Sequence, residues 1–466
     1  MGNSLSSNKV VAYNLAGKVV LNGINFFVVS VFTRMLGEEN YGLFSLYITW
    51  QSIVLILVGL QTQSVIGNVT IHYGVEERKR YLSSNTFMVT LVTVLLLLVM
   101  IAIRKPVENF TGFSFGILLF MILHSYAGYG VNVVTGVWAF DMKARLNFFV
   151  SLLLSLLNIG LSIVLINSIT EYSDKYIGRI VGSALPTVVF GIACVVCLIV
   201  KGRTLYNWKY WKYSLRFSIP IVFHALSNLI LSQSDRIMLQ KMSSLSVVGV
   251  YSVVFTLVHL LNILMEAFNT AWVPFFYDDL KKRNYISIKE KTKNYVYLFT
   301  SLVVGFLLVA PEVLRFYAGD EFCGGERSLP FLAIGAFFVF LYSFPVNYKY
   351  YYGETKSIAI GTISAGFCNI ILNYILIPKY GIFGASIATM LSYFLLWLFH
   401  YIGARNLRES AFPYNISDFL KYMIVVFCIA GVAYFVLYDL WIVRWCLAAI
   451  VGIYMIQSII KRKSIW

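Results

Sequence analysis

Charge is what this chain of 466 residues has least of: Asp, Glu, Lys and Arg together make up 12% of it. A water-soluble protein cannot cover its surface with so little charge. Acid is scarcer than base, with 21 Asp and Glu against 37 Lys and Arg and a net charge of +16. The excess does not mark a nucleic-acid binder, because the basic residues sit in short loops between apolar runs. Cysteine is sparse and lies mostly in apolar segments. CVVC at 194–197 has the spacing of a redox or zinc motif, yet it falls inside an apolar run without a matching Cys or His cluster, which points to packing. No Walker-type phosphate loop occurs, which removes ATP as the direct energy source. No cleavable signal peptide is evident, so the first apolar segment is expected to act as an uncleaved anchor. MGNSLS at the start fits the myristoylation pattern by chance, since a chain with many spans gains nothing from one acyl chain.

What is there instead is apolar length. Hydrophobic residues reach 59% and aromatics 17%, with a mean hydropathy of +0.76. Apolar runs near the 20 residues that a bilayer requires recur throughout. They fall near 10–33, 41–67, 82–103, 113–138, 148–168, 176–200, 216–238 and 245–272, then near 294–314, 329–350, 356–377, 381–403, 418–438 and 440–460. This predicts an all-α polytopic membrane protein of about fourteen transmembrane helices. If the N-terminus is cytoplasmic, 25 Lys and Arg fall on the cytoplasmic side, 11 on the other, and Lys18 lies within a span. The positive-inside rule therefore puts both termini in the cytoplasm.

On that orientation the longest outer loop, RFYAGDEFCGGERS (315–328), has about fourteen residues and no His. A membrane-embedded glycan polymerase or ligase needs a larger outer segment with clustered acids, bases or metal ligands. No metal, cofactor or catalytic residue is expected. Two inner loops, KGRTLYNWKYWKYSLR (201–216) and DDLKKRNYISIKEKTK (278–293), are strongly basic. They suit orientation, interfacial anchoring and attraction of anionic lipid headgroups.

The first of these loops divides the chain into similar halves. FTRMLGEENYGLFSLY (32–47) follows the first span and SDRIMLQKMSSLSVVGVYSVVF (234–255) the seventh. Each runs from an Arg at a helix end to an aromatic and a Gly opening the next helix. KYIGRIVGSALPTVVFG (175–191) and KYGIFGASIATMLSYFL (379–395) correspond likewise. Internal repeats of this kind are a common transporter architecture.

These segments resemble Wzx-type polysaccharide flippases, in the superfamily that also holds multidrug exporters and lipid II flippases. The resemblance extends over essentially the whole chain. It implies two pseudo-symmetric six-helix lobes, at 1–200 and 216–403. They are joined by the linker 201–215 and followed by two further helices in 404–466. It implies a plasma-membrane flippase that moves an undecaprenyl-diphosphate-linked oligosaccharide between leaflets by alternating access, for capsule, O-antigen or exopolysaccharide assembly. Its partners would be that substrate, membrane lipids and polysaccharide polymerase machinery. An ion-coupled drug or cation exporter of the same superfamily is the alternative, and a membrane-embedded polymerase or ligase the rival from another class. An exporter of cations favours an acidic pocket, whereas the first-lobe stripe described next is basic.

Spacing alone singles out three polar stripes. Asn14, Lys18, Asn22 and Asn25 share one helix face, as do His224, Asn228, Ser232 and Asp235, and His259, Asn262, Glu266 and Asn269. Small polar residues can merely bond helix to helix. Full stripes containing Lys, His, Asp and Glu are expected to face a water-filled cavity instead. Lys18 would cost roughly 2.5–3.5 kcal/mol near a bilayer centre. It could snorkel to the headgroups, pair with Glu266 or receive the substrate's diphosphate; the expectation is the last two in exchange. Asp235 and Arg236 are expected at a membrane boundary, anchoring a helix end or pairing locally, with an outer gate as the functional alternative. His224 and His259 are candidates for carrying coupling protons. Pro186, Pro220 and Pro345 lie inside spans, where each removes a backbone donor.

Overall fold

The computed structural model describes residues 7–407 and 412–461, apart from the side chains of residues 7–19, Asn25, Ile459 and Lys461. The described residues are helical with short connections and contain no strand. Helix is the form in which an apolar run satisfies its own backbone inside lipid. The elements are α1 (Ser7–Gly59), α2 (Ile66–His72), α3 (Val75–Ala102), α4 (Arg104–Thr111) and α5 (Phe115–Phe140). Next come α6 (Ala144–Ser168), α7 (Lys175–Gly202), α8 (Trp208–Met242), α9 (Leu245–Lys281) and α10 (Tyr285–Ala318). The last are α11 (Leu329–Tyr351), α12 (Thr355–Tyr380), α13 (Ile382–Leu407), α14 (Ile416–Gly431) and α15 (Trp441–Lys461). Thirteen helices among the described residues are long and apolar enough to cross a membrane.

Fourteen expected spans and thirteen such helices are reconciled in α1. Its 53 residues would reach about 80 Å, against a hydrocarbon core of about 30 Å. The helix breaks at Gly37, with φ 67° and ψ 179°, a conformation open to glycine and almost nothing else. The first two expected spans are the two legs of this element. The second leg stops at Gly59, short of residue 67, because Leu60 (φ 45°) and Gln61 (φ 54°) are left-handed.

The chain packs as two compact units, residues 1–229 and 230–466. The division falls inside α8 because the start of that helix belongs to the first unit's packing. Trp211 Nε1 donates to the Ser84 carbonyl at 3.0 Å, Asn85 Nδ2 donates to Ser214 Oγ at 3.2 Å, and Tyr210 joins a core with Val58, Tyr81, Tyr129 and Val133. The segment expected as a linker is thus helical from Trp208 onward and lies against α3.

In the first unit α6 and α7 touch backbone to backbone: a Cβ at Gly182 would lie 2.3 Å from Ser162 Cα. In the second unit a Cβ at Gly384 would lie 2.3 Å from the Leu376 carbonyl oxygen, where α13 meets the end of α12. The quoted repeat segments carry both glycines, so each segment brings a glycine close against the helix before it. Helix α11, apolar nearly all round, forms the core of the second unit. Phe340 stacks on Phe299 at 4.1 Å between centroids and meets Tyr295 edge-on at 4.9 Å. Helices α14 and α15 belong to this unit. Arg444 on α15 donates to the carbonyls of Leu308, Leu437 and Tyr438, each at 3.0 Å, and pairs with Glu312. One buried cation thereby closes the end of α14 and ties both C-terminal helices to α10.

Candidate functional site

The described residues hold a buried carboxylate cluster within the second unit. Asp235 on α8 is fully buried. Tyr251 Oη on α9 donates to one carboxylate oxygen, and Thr389 Oγ1 on α13 donates to the same atom at 2.8 Å. Asn373 Nδ2 on α12 donates to the other at 2.5 Å. The Asn369 carbonyl oxygen, one helical turn earlier, accepts from Asn373 at 2.9 Å and from Ser234 Oγ at 2.9 Å. Four helices therefore converge on one carboxylate.

The adjacent Arg236, also buried, turns elsewhere. Its Nε donates to Ser252 Oγ at 3.0 Å, its Nη1 to Gln233 Oε1 at 2.7 Å, and its guanidinium carbon stands 4.8 Å from the Phe255 centroid. Asp235 and Arg236 are thus interior groups with separate partners. A span end can be interior because it is packed by three other helices. A buried carboxylate needs donors to offset lost hydration, and the side-chain donors here are neutral. Such a site can exchange a proton or a small cation without dismantling an ion pair. Two polar atoms there, Asn369 Nδ2 and Asn373 Oδ1, have no hydrogen-bond partner among the described residues.

The description "Polysaccharide biosynthesis protein" belongs to the family whose pattern matches residues 8–278, more than half of the chain. The chain belongs to that family. Among curated relatives, Lsg locus putative protein 1 of Haemophilus influenzae is 25% identical over 74% of this chain and 85% of its own length. A probable low-salt glycan biosynthesis flippase, Agl15 of Haloferax volcanii, is 23% identical over 85% of this chain and 82% of its own. Among solved structures, the lipid II flippase MurJ in an inward closed conformation superposes with a TM-score of 0.72. It is 17% identical and covers 97% of this chain and 99% of that one. An inward-facing multidrug resistance MATE transporter gives 0.59 at 17% identity, over 88% and 97%. The resemblance to Wzx-type flippases read from the sequence is borne out at the level of family and fold.

The other expected site residues of this family member are distributed as follows. The side chains of Asn14, Lys18 and Asn25 lie outside the described residues; Asn22 is half-buried. On α8, Asn228 is exposed and its Nδ2 lies 3.1 Å from His224 Nε2. On α9, His259 and Glu266 are exposed and Asn262 is half-buried, with Asn262 Nδ2 3.4 Å from His259 Nδ1. Asn269 Oδ1 accepts from Asn347 Nδ2 at 2.7 Å. The stripe on α8 therefore divides, with Asn228 open and Asp235 sealed inside its unit.

Several buried or half-buried polar residues escaped the sequence reading. The partners of Asp235 are one group, and Asn369 and Asn373, four apart on an apolar helix, were the signal for it. Arg179 is another: its guanidinium carbon lies 3.8 Å from the Phe32 centroid and 4.6 Å from that of Phe44, and Nη1 donates to Ser162 Oγ at 2.8 Å. Lys349 in NYKYYYG (347–353) is 1% exposed; its Nζ donates to Ser357 Oγ at 2.8 Å and lies 3.1 Å from His400 Nδ1.

Proposed function

We propose that this protein is a flippase for a lipid-linked oligosaccharide carried on undecaprenyl diphosphate, supplying capsule, O-antigen or exopolysaccharide assembly in the plasma membrane. One observation carries the transport reading. Helices long and apolar enough to span a bilayer keep Asn228, His259 and Glu266 exposed, where contact with lipid would be costly. The polar faces of α1, α8 and α9 line the translocation path in this reading. Lys18 receives the diphosphate and, at rest, pairs with Glu266; Asn14, Asn22, Asn25, Asn228 and Asn262 meet the sugars. Asp235 is where ion coupling acts, since a carboxylate held by neutral donors changes charge when it takes up a proton or a small cation. Membership of the polysaccharide biosynthesis family supports a glycan-linked substrate. Both termini face the cytoplasm, and polysaccharide polymerase machinery receives the product.

The test is depletion of the protein in its native cell with quantification of lipid-linked oligosaccharide by mass spectrometry. Complete oligosaccharide on its diphosphate carrier is expected to accumulate, and wild type but not Lys18→Gln is expected to clear it at equal membrane levels. No accumulation alongside intact surface polymer would reject the flippase reading. The double exchange Lys18→Glu with Glu266→Lys is expected to restore membrane level without transport, and full recovery of transport would exclude the partner exchange.

A further inference from the structure

A cavity of about 620 Å³ opens in the first unit between α3, α5 and α7, at their Lys- and Arg-rich ends. That size suits a ligand-binding cleft. Its floor is apolar and includes Trp138, Phe190, Cys194 and Cys197, so both cysteines of the CVVC motif line it. Beside it on α7, Val196 and Val200 are 54% and 60% exposed, the mark of a surface that meets acyl chains. Arg78, Lys79, Lys143 and Lys201 line it with one acid, Asp141. Asp141 already accepts from Arg78 at 2.8 and 3.2 Å and lies 3.6 Å from Lys143 Nζ. The lining is left with a net positive charge where the apolar floor ends.

We propose that this cavity docks an anionic phospholipid from the leaflet at that end. One acyl chain lies against Trp138 and Phe190, and Lys143 and Lys201 hold the phosphate. Charge complementarity at the end of an apolar groove selects this occupant. The carrier of the transported glycan is disfavoured, because α3, α5 and α7 carry none of the polar faces assigned to translocation. The proposal holds whatever substrate the protein moves.

The experiment reconstitutes the full chain in phosphatidylcholine vesicles containing either brominated phosphatidylglycerol or brominated phosphatidylcholine. Quenching of Trp138 is read as the difference between wild type and Trp138→Phe. Brominated phosphatidylglycerol is expected to associate more strongly, by about fivefold for each lysine, with the preference shrinking at high salt. Lys143→Gln with Lys201→Gln is expected to erase the preference, and Lys143→Arg with Lys201→Arg to keep it, at unchanged unfolding temperature in phosphatidylcholine. Ala193→Phe, which fills the floor, is expected to reduce quenching by both lipids. Equal quenching by the two lipids in wild type, or a preference that survives the double Gln variant, would overturn the proposal. So would relief of quenching by polyprenyl phosphate but not by unbrominated phosphatidylglycerol, which would assign the cavity to the glycan carrier.

Discussion

At the scale of single residues, Asp235 concentrates the chemistry. Hydrogen bonds to a buried carboxylate contribute about 1.5–3 kcal/mol each. In Asp235→Asn the new amide N–H groups face the Tyr251, Thr389 and Asn373 donors that the carboxylate had accepted. The substitution is expected to lower unfolding stability by about 1–3 kcal/mol and to abolish transport, read by thermal unfolding in detergent and by accumulated lipid-linked oligosaccharide. Tyr251→Phe removes one donor and leaves the charge, so it is expected to destabilise by a similar amount while transport persists. Wild-type transport by Asp235→Asn would make the carboxylate purely structural. Asp235 was visible in the sequence as a charge, but its burial was not, because its partners stand 16 to 154 residues away along the chain.

At the scale of elements, glycines set the close crossings. Gly182→Ala and Gly384→Ala each push a methyl into backbone atoms that cannot rotate away. Each is expected to cost about 1–3 kcal/mol, seen as a lower unfolding temperature. Gly160, with nothing within 4 Å of its Cβ position, is the control: Gly160→Ala is expected to be neutral or to gain up to about 1 kcal/mol from helix propensity. A loss at both 182 and 384 would show that each repeat segment depends on its close glycine contact. Three prolines singled out in the sequence, Pro186, Pro220 and Pro345, lie inside α7, α8 and α11. The elements themselves were legible because apolar runs separated by basic loops have few other solutions in a bilayer. The break at Gly37 and the helical start of α8 were not, since both depend on what the backbone packs against.

At the scale of the whole molecule, charge asymmetry predicts orientation. Fluorescent-protein fusions, which mature in the cytoplasm, are expected to be bright at either terminus. A fusion in the loop 315–328 that is bright instead, or a dark terminus, would reverse or break the assigned topology. The Lys and Arg excess from which the orientation is predicted also supplies the rim of the proposed lipid cavity in the first unit, so the two properties share residues.

The sequence by itself determined the fold class, the approximate span positions, the internal repeat and the family resemblance. Each depends on local composition or on short motifs, and lipid leaves the backbone little choice beyond helix. Tertiary structure decided which polar residues are exposed and which are sealed. His259 and Asp235 are both ionisable groups on apolar helices, yet one is open and the other is held by three helices besides its own. It also brought Trp138, Lys143, Cys197 and Lys201 around one cavity. Neighbours fix burial and convergence, and those neighbours come together only when helices far apart in the chain pack.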